Sequence, residues 1–530
     1  MRTIRSHQIM VLGLFLLAGL IAFSPNLNSY FLSDDFVQIG KVLHGDYSVA
    51  WGQEHGGFFR PLFICSYLLD SNIWGTRPFG YHLTNVILHS LNAFLVFKLA
   101  AGLLKPQHIE PRRKRIAALV AAVLFLLHPS HAEAVVWISG RADLLATLFV
   151  LLALLTYLVF EERKREWYLG ASLGLFAMAL LAKESAICTP FLILLIGLFG
   201  RAKLRHLVRV CAMFAAVLIL FMVVRARFIG SFIGGYGNTQ HLNFAPGWLR
   251  DRMLEAIVRS VAPPLPGAWL SFLFKPLQSP VFYLMVLLIA TGAATAILLR
   301  RRFYQRAERM NQNRFILMLA ALFLIALLPV INLRLSLYQT LGERFLYLPT
   351  VFACLLIAYV ATVLIRKVTV FLILMAALLS FYSWSVYRTN LLWREAAKLS
   401  RVLRINLGDV ASPTPLVVLN APDNLRGVPV FHNGLSEAVH WPLPNEPTKL
   451  IQIVAFQDLQ TATDEIVISR NKVLTIRATN PADQFTRVNG TNCFDAFSPI
   501  PNTLDIYPKP CASGTRTFFF SGGKMKELDR

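Results

Sequence analysis

The run Met10-Val11-Leu12-Gly13-Leu14-Phe15-Leu16-Leu17-Ala18-Gly19-Leu20-Ile21-Ala22-Phe23-Ser24 is followed, about ten residues on, by Ser33-Asp34-Asp35-Phe36. The first stretch is apolar enough to enter a bilayer. The second puts two adjacent carboxylates beside the membrane surface, a costly arrangement unless they have partners or work there. We read the pair as the floor of an outward-facing active site. One role for it is a general base, or a metal ligand, that activates an acceptor hydroxyl. The other is helix capping, because Ser-Asp-Asp before an amphipathic helix is a good N-cap sequence. Both roles are served if one Asp caps and the other reacts.

The chain has 530 residues, is 55% hydrophobic and only 15% charged, with a mean hydropathy of +0.54. A water-soluble fold cannot hide that much apolar surface, so lipid must cover part of it. The net charge of +23 suggests nucleic acid at first sight. Its distribution excludes that, because the basic residues come in short runs between apolar spans, as cytoplasmic loops do. The N-terminus, Met1 to Arg5 and then an apolar run, lacks a clear small-residue cleavage site and reads as a retained anchor.

About eleven spans approach the ~20 residues a crossing helix needs. They cover 8–25, 82–104, 116–136, 142–160, 167–183, 186–200, 206–227, 279–299, 315–331, 345–365 and 368–388. Lys and Arg fill alternate connections: Arg2/Arg5, Lys105 to Arg115, Arg163 to Arg165, Arg201 to Arg209, Arg300 to Arg314, and Arg366/Lys367. These are expected to be cytoplasmic, with the N-terminus inside and the C-terminus outside. Two long outer loops result, 26–81 and 228–278. The second opens with a Gly-rich stretch, 230–237. It continues into an apolar-periodic segment, Trp248 to Val261, expected to lie on the membrane surface until Pro263-Pro264 stops it.

Beyond about residue 390 no membrane-length run remains. Strand-like stretches at 416–419, 450–455, 465–469, 473–477 and 517–520 are punctuated by Asp423-Asn424, Asn433-Gly434, Asn489-Gly490 and Gly522-Gly523. The expected fold is a multi-span helical membrane domain, 1–390, followed by a small β-rich extracytoplasmic domain, 391–530. Four cysteines (Cys65, Cys188, Cys211, Cys354) lie in or near spans; only Cys493 and Cys511 share the tail, where a disulfide is open to them in an oxidising compartment.

Further polar groups gather at the outer ends of the spans. His128-Pro129-Ser130-His131-Ala132-Glu133 closes the third span and is a candidate ligand for phosphate or a divalent metal, against the alternative of a wet helix end. A zinc site is disfavoured because no fourth ligand stands at a fixed spacing. Gly140-Arg141-Ala142-Asp143 opens the fourth span; Arg141 and Asp143 are expected to pair with each other or with Glu133, or to touch ligand. Lys183-Glu184 ends the fifth, for structural pairing or pyrophosphate. Glu343-Arg344-Phe345-Leu346-Tyr347 opens the tenth, where a guanidinium suits the phosphate of a lipid-linked donor or else snorkels to headgroups. No phosphate-binding GxxxxGK[ST] or strand–GxGxxG–helix motif is present. A reaction outside the membrane then needs a substrate already activated, such as a sugar on a polyprenyl phosphate.

The order of Ser33-Asp-Asp-Phe36, Phe59-Arg60-Pro-Leu62, Tyr81-His82 with Asn85, His89 and Asn92, then His128 to Trp137, Gly140 to Leu144, Ala182 to Ser185 and Glu343 to Pro349 resembles the GT-C superfamily of integral-membrane glycosyltransferases. It is most similar to the protein O-mannosyltransferase-like branch, which includes transmembrane O-mannosyltransferases bearing tetratricopeptide repeats. The resemblance implies a polyprenyl- or dolichyl-phosphate sugar donor and an inverting displacement. It also implies a base at Asp34 or Asp35 and donor-phosphate contact at Arg344; Lys183, Glu343 and Tyr347 are further candidates for the donor phosphate and lipid carrier. Arg60, His82, His128, His131, Glu133, Arg141, Asp143 and Glu184 are the substrate-binding candidates. The repeat array is absent here and a β-rich tail stands in its place, so the acceptor is left as a protein, a glycan or a lipid. A divalent metal is left open, as is the sugar. The compartment expected is a bacterial inner membrane with the tail in the periplasm. Two other classes compete: a flippase or transporter of lipid-linked sugars, whose ionisable residues belong near the midplane, and an O-antigen ligase-like glycan transferase.

Overall fold

The computed structural model describes residues 2–52, 57–107, 109–230, 243, 245–264, 306–333, 335–408, 416–442, 451–470, 473–488, 491, 493–509 and 516–528. The predicted span 279–299, the stretch 231–237, the turn 489–490 and Cys511 lie outside them.

Helix α1 (Arg2–Phe23) is the first predicted span, and Asp34 opens α2 (Asp34–Leu43). α3 (Pro61–Trp74), α4 (Pro78–Leu104), α5 (Pro111–Leu126) and the short α6 (Ala132–Val136) follow. Next come α7 (Arg141–Arg163), α8 (Glu166–Ala182), α9 (Thr189–Phe199), α10 (Leu204–Ile229) and α11 (Pro246–Arg259). After the segment not described come α12 (Arg306–Leu327), α13 (Pro349–Leu364) and α14 (Val368–Gly408). Every predicted span within the described residues is helical, and the chain is a multi-span helical integral membrane protein.

The length test is stricter than the sequence count of about eleven. Among the described residues six helices are long and apolar enough to cross a membrane, or seven if the pair flanking Pro129, bent by 48°, is one span. The segments Glu166–Ala182, Glu184–Phe199 and Pro349–Leu364 are shorter. At ~1.5 Å per residue, seventeen or fewer residues reach at most ~25 Å, short of the ~30 Å hydrocarbon core. The bend has a local cause: Pro129 cannot donate to the ladder, and its ring crowds the preceding turn.

Nor does the helical part stop at residue 390. α14 continues to Gly408, with Trp393, Ala396, Ala397, Leu399, Ser400, Leu403 and Leu407 buried at helical spacing. The change of composition there marks a helix turning from apolar all round to amphipathic.

The tail forms two sheets. The first, six-stranded, runs β10 (Lys524–Glu527), β9 (Arg516–Ser521), β1 (Leu416–Leu425), β3 (Ile451–Leu459), β6 (Gln484–Thr486), with β2 (Val428–Pro429) paired to β1. β1 is parallel to both β3 and β9, and buried along its whole length, as a central strand covered on both faces should be. The second sheet is β4 (Ile466–Arg470), β5 (Leu474–Ala478), β8 (Thr503–Pro508), β7 (Phe494–Ile500). Asp423-Asn424, expected as a turn, lies inside β1, its polar side chains taken up by His432, Arg487 and Asp458. Gly522-Gly523 does turn, both at positive φ, between β9 and β10. Cys493 is disulfide-bonded, whereas Cys65, Cys188, Cys211 and Cys354 are free.

The β unit is docked on the segment that carries Phe31 and Phe36 rather than tethered beside it. Trp441 packs 4.9 Å from Phe31 and 5.6 Å from Phe36, and Phe36 stacks on Phe431. Burying rings of this size is worth several kcal/mol in total by area.

Candidate active site

The two carboxylates of Ser33-Asp34-Asp35 have different surroundings. Asp35 is 1% exposed. Its Oδ1 accepts from the Ser139 N–H at 2.9 Å and the Ser139 hydroxyl at 2.6 Å, and its Oδ2 accepts from the Leu32 N–H at 3.0 Å. Reaching back to Leu32, it ties down the entry to α2, in the way a capping-box acid does. Burial pushes its pKa up to about 7, against the lowering by Ser139 and Leu32 and with the neighbouring Asp34 adding to the rise. Asp34 is half-buried, and one oxygen accepts from the Asn433 amide at 2.7 Å. Ser33 does not cap with its own side chain. Its hydroxyl accepts from the Asn433 N–H at 3.0 Å, and its N–H donates to the Val430 carbonyl at 3.0 Å.

The segment between His128 and Arg141 is a broken helix wrapped around this end. Backbone freed by the break must find partners inside the protein. Asn85 supplies two, donating to the Val135 and Trp137 carbonyls at 3.2 Å each. Gly140 allows the close return: a Cβ there would stand 2.6 Å from the Ala134 carbonyl oxygen. Trp137 faces two ways. Its indole N–H donates to the Leu32 carbonyl at 3.4 Å, and its ring carries the Arg344 guanidinium at 4.6 Å.

The histidines of this region are engaged inside the fold. His128 contacts the Ser260 carbonyl at 2.9 Å and the Ser130 hydroxyl at 2.8 Å; His131 contacts Thr350 at 2.7 Å; His82 contacts the Ser29 carbonyl at 3.0 Å. All three are buried. Among the described residues no group of three or more His, Cys, Asp or Glu side chains is arranged to hold a metal ion. Tyr347, expected near the donor phosphate, is fully buried, its hydroxyl 2.7 Å from His89 Nδ1 and 3.2 Å from the Asn92 amide.

The ion pairs differ from those expected. Arg141 pairs with Asp70 at 2.6 Å, neither side chain more than 4% exposed, and also donates to Asn85 and the Tyr81 carbonyl. Asp143 pairs instead with Lys183, whose ammonium lies 2.6 Å from both carboxylate oxygens. Glu133 takes Arg344, whose backbone N–H also donates to it at 3.0 Å. Glu184 is held by Arg60 at 2.6 and 3.0 Å, and Glu343 by Arg259 with both side chains sealed from solvent. The expectation failed because residues two apart on a helix point to different faces. Arg141 and Asp143 each reach a separate neighbouring helix.

Two cations approach the Phe345 ring, Lys183 at 5.2 Å and Arg344 at 4.8 Å. Arg225 stands close enough to Glu184 and Arg60 to feel both charges. Sequence reasoning missed Asp70, Ser139, Arg259 and Asn433. Asp70 had a signal, as a lone carboxylate in an apolar run. Arg259 had a weaker one, sharing a helix face with Ala256, the face that packs inward while Ile257 and Val261 stay exposed. Asn433 had none, standing 399 residues from Asp34.

No protein-family profile matches the chain. It is 41% identical over 156 residues to the protein O-mannosyl-transferase Tmtc1 of Drosophila melanogaster, covering 28% of this chain and 17% of that protein. It is 26% identical over 326 residues to the protein O-mannosyl-transferase F38B6.6 of Caenorhabditis elegans, covering 59% and 43%. Against mouse TMTC3 it is 25% identical over 339 residues, covering 57% and 35%. The chain thus spans under half the length of each of these relatives. Among solved structures it is similar to ArnT from Cupriavidus metallidurans bound to undecaprenyl phosphate, with 14% identity and a TM-score of 0.38 over 89% of this chain and 98% of that one. Read with the ordered motifs from Ser33 to Pro349, the sequence matches make the chain a distant homologue of the TMTC protein O-mannosyl-transferases.

Proposed function

We propose that this protein is an integral-membrane glycosyltransferase. It moves a sugar from a polyprenyl-phosphate donor to an acceptor hydroxyl on the extracytoplasmic side. The observation that carries the reading is Trp137, which joins the carboxylate end of the site to the cation end through Leu32 and Arg344. One displacement needs both ends. The acceptor oxygen attacks the anomeric carbon as its proton passes to Asp34, and the bond from that carbon to the phosphate oxygen breaks. The polyprenyl phosphate leaves with the electron pair, stabilised by Arg344 and Lys183. Configuration inverts. Asp34 is the better base of the pair because it faces partly outward, whereas Asp35 spends both oxygens on the entry to α2 and on Ser139. The relatives' description as protein O-mannosyl-transferases favours a mannose-like hexose and a protein hydroxyl; glycan and lipid acceptors are the alternatives.

The reading keeps the sequence count of about eleven crossings, the short apolar helices accommodated by a locally thinned bilayer, with the N-terminus inside and the β unit outside. In a bacterium this is the inner membrane with the tail in the periplasm. The test uses protein in vesicles with a radiolabelled polyprenyl-phosphate hexose and crude extracytoplasmic acceptors. Transfer lost in Asp34→Asn and kept in Asp35→Asn supports the base; donor binding lost in Arg344→Ala supports the phosphate contact. Wild-type transfer by all three sinks the mechanism. Labelled lipid that changes leaflet with no sugar transferred makes the protein a transporter.

A further inference from the structure

Ser33, the residue before Asp34, has φ of +47°, a region that non-glycine residues enter at a cost and hold only when their surroundings impose it. What imposes it comes from the tail. The Val430 carbonyl takes the Ser33 N–H at 3.0 Å, and the Asn433 N–H reaches the Ser33 hydroxyl at 3.0 Å. The two segments meet without slack: a Cβ on Gly434 would lie 2.5 Å from the Ser33 carbonyl oxygen, and Gly434 itself has φ of +79°. Through this clasp the Asn433 amide donates to one oxygen of Asp34 at 2.7 Å. The loop is anchored from behind by Arg487, which donates to the His432 carbonyl at 2.8 Å and pairs with Asp423 in β1.

We propose that the β unit completes the catalytic site, with Asn433 as a positioning residue that orients the Asp34 carboxylate toward the acceptor. The proposal rests on Asp34 being the base. The amide N–H occupies one carboxylate oxygen and leaves the other to receive the acceptor proton. Transfer then depends on the tail being docked, which makes this unit part of the catalytic machinery rather than a tether.

The test measures kcat and donor KM for transfer in vesicles carrying the full chain, with a radiolabelled polyprenyl-phosphate hexose and crude extracytoplasmic acceptors. Variants are Asn433→Ala, Asn433→Asp, Asn433→Gln and Asp34→Asn. Hydrogen exchange at residues 31–38 reports whether the clasp is still closed. Asn433→Ala is expected to lose about tenfold in kcat at unchanged donor KM, the worth of one hydrogen bond to a charged group. Asn433→Asp loses at least as much, because two carboxylates then face each other, and Asn433→Gln, which keeps the amide, recovers part of the rate. Exchange at 31–38 stays protected in Asn433→Ala, since the Val430 contact is untouched. Loss of transfer in Asp34→Asn, with a wild-type rate in Asn433→Ala and Asn433→Asp, overturns the proposal and leaves the base intact. Wild-type transfer by Asp34→Asn overturns the base and the proposal together.

Discussion

Replacing Lys183 by Met separates two roles that one lysine can play here. Its ammonium lies 2.6 Å from both oxygens of Asp143, and the two side chains are only 3% and 8% exposed. Removing one partner of such a pair strands the other charge away from water, at about 3–5 kcal/mol. For a chain of 530 residues, an unfolding entropy of ~2 cal/mol/K per residue gives ~1.1 kcal/mol/K, so Tm falls about 3–5 °C. Replacing both residues, Asp143→Leu with Lys183→Met, removes the stranded charge, and Tm returns to within about 1 °C of wild type, because buried pairs exchange for apolar residues at little net cost. Transfer does not return, because one of the two cations beside Phe345 is gone. Thermal unfolding followed by tryptophan fluorescence in micelles gives the stability arm, and the vesicle assay gives the other. An unchanged Tm in the single variant refutes the burial argument. Full transfer by the double variant refutes a phosphate role for Lys183 and leaves it structural.

Three further outcomes are expected. Gly434→Ala, at φ of +79° with the Ser33 carbonyl oxygen 2.5 Å from its new methyl, costs about 2–3 kcal/mol and is read as faster hydrogen exchange at both 31–38 and 428–438; unchanged exchange contradicts the clasp. Burial alone would raise the Asp423 carboxyl, but its hydrogen bond and charge contact with His432 and the Arg487 guanidinium outweigh that and hold it below the usual range. The stability it contributes is therefore present above the ordinary carboxylate pKa of ~4 and is lost as pH falls through its lowered folded value. Acid should loosen the tail before the helices, and Arg487→Ala should flatten that dependence in circular dichroism. Reducing the disulfide at Cys493 should lower the protease resistance of the tail and leave the helical part unchanged; a loss of helical signal contradicts this.

Much of the architecture could be read along the chain. Hydropathy located each described span, because the bilayer demands a long apolar run wherever the chain crosses it. It did not resolve which helices are long enough, since a run such as 345–365 is apolar throughout while its helix begins only at Pro349. The strand-like stretches at 416–419 and 517–520 lie within β1 and β9, and 465–469 overlaps β4 in all but its first residue, because β-branched and aromatic residues concentrate there. Asp423-Asn424 was misread as a turn: its partners sit on β3, on the loop at His432 and at Arg487, which no local pattern reports.

The sequence by itself determined that this is a membrane protein with carboxylates and cations gathered at the ends of its spans, because composition and period are local properties. Only the tertiary structure decided which charge answers which. Arg141 went to Asp70, Lys183 to Asp143, Arg344 to Glu133 and Arg259 to Glu343, choices made by which helices lie side by side. It also separated the two Asp residues, identical neighbours in the chain. One is turned inward to Ser139 and Leu32; the other is turned outward to an amide that arrives from the far end of the protein. A pair of adjacent residues at a helix start carries no sign of which way each will face. That is fixed by what packs against the turn, and here the β unit does the packing.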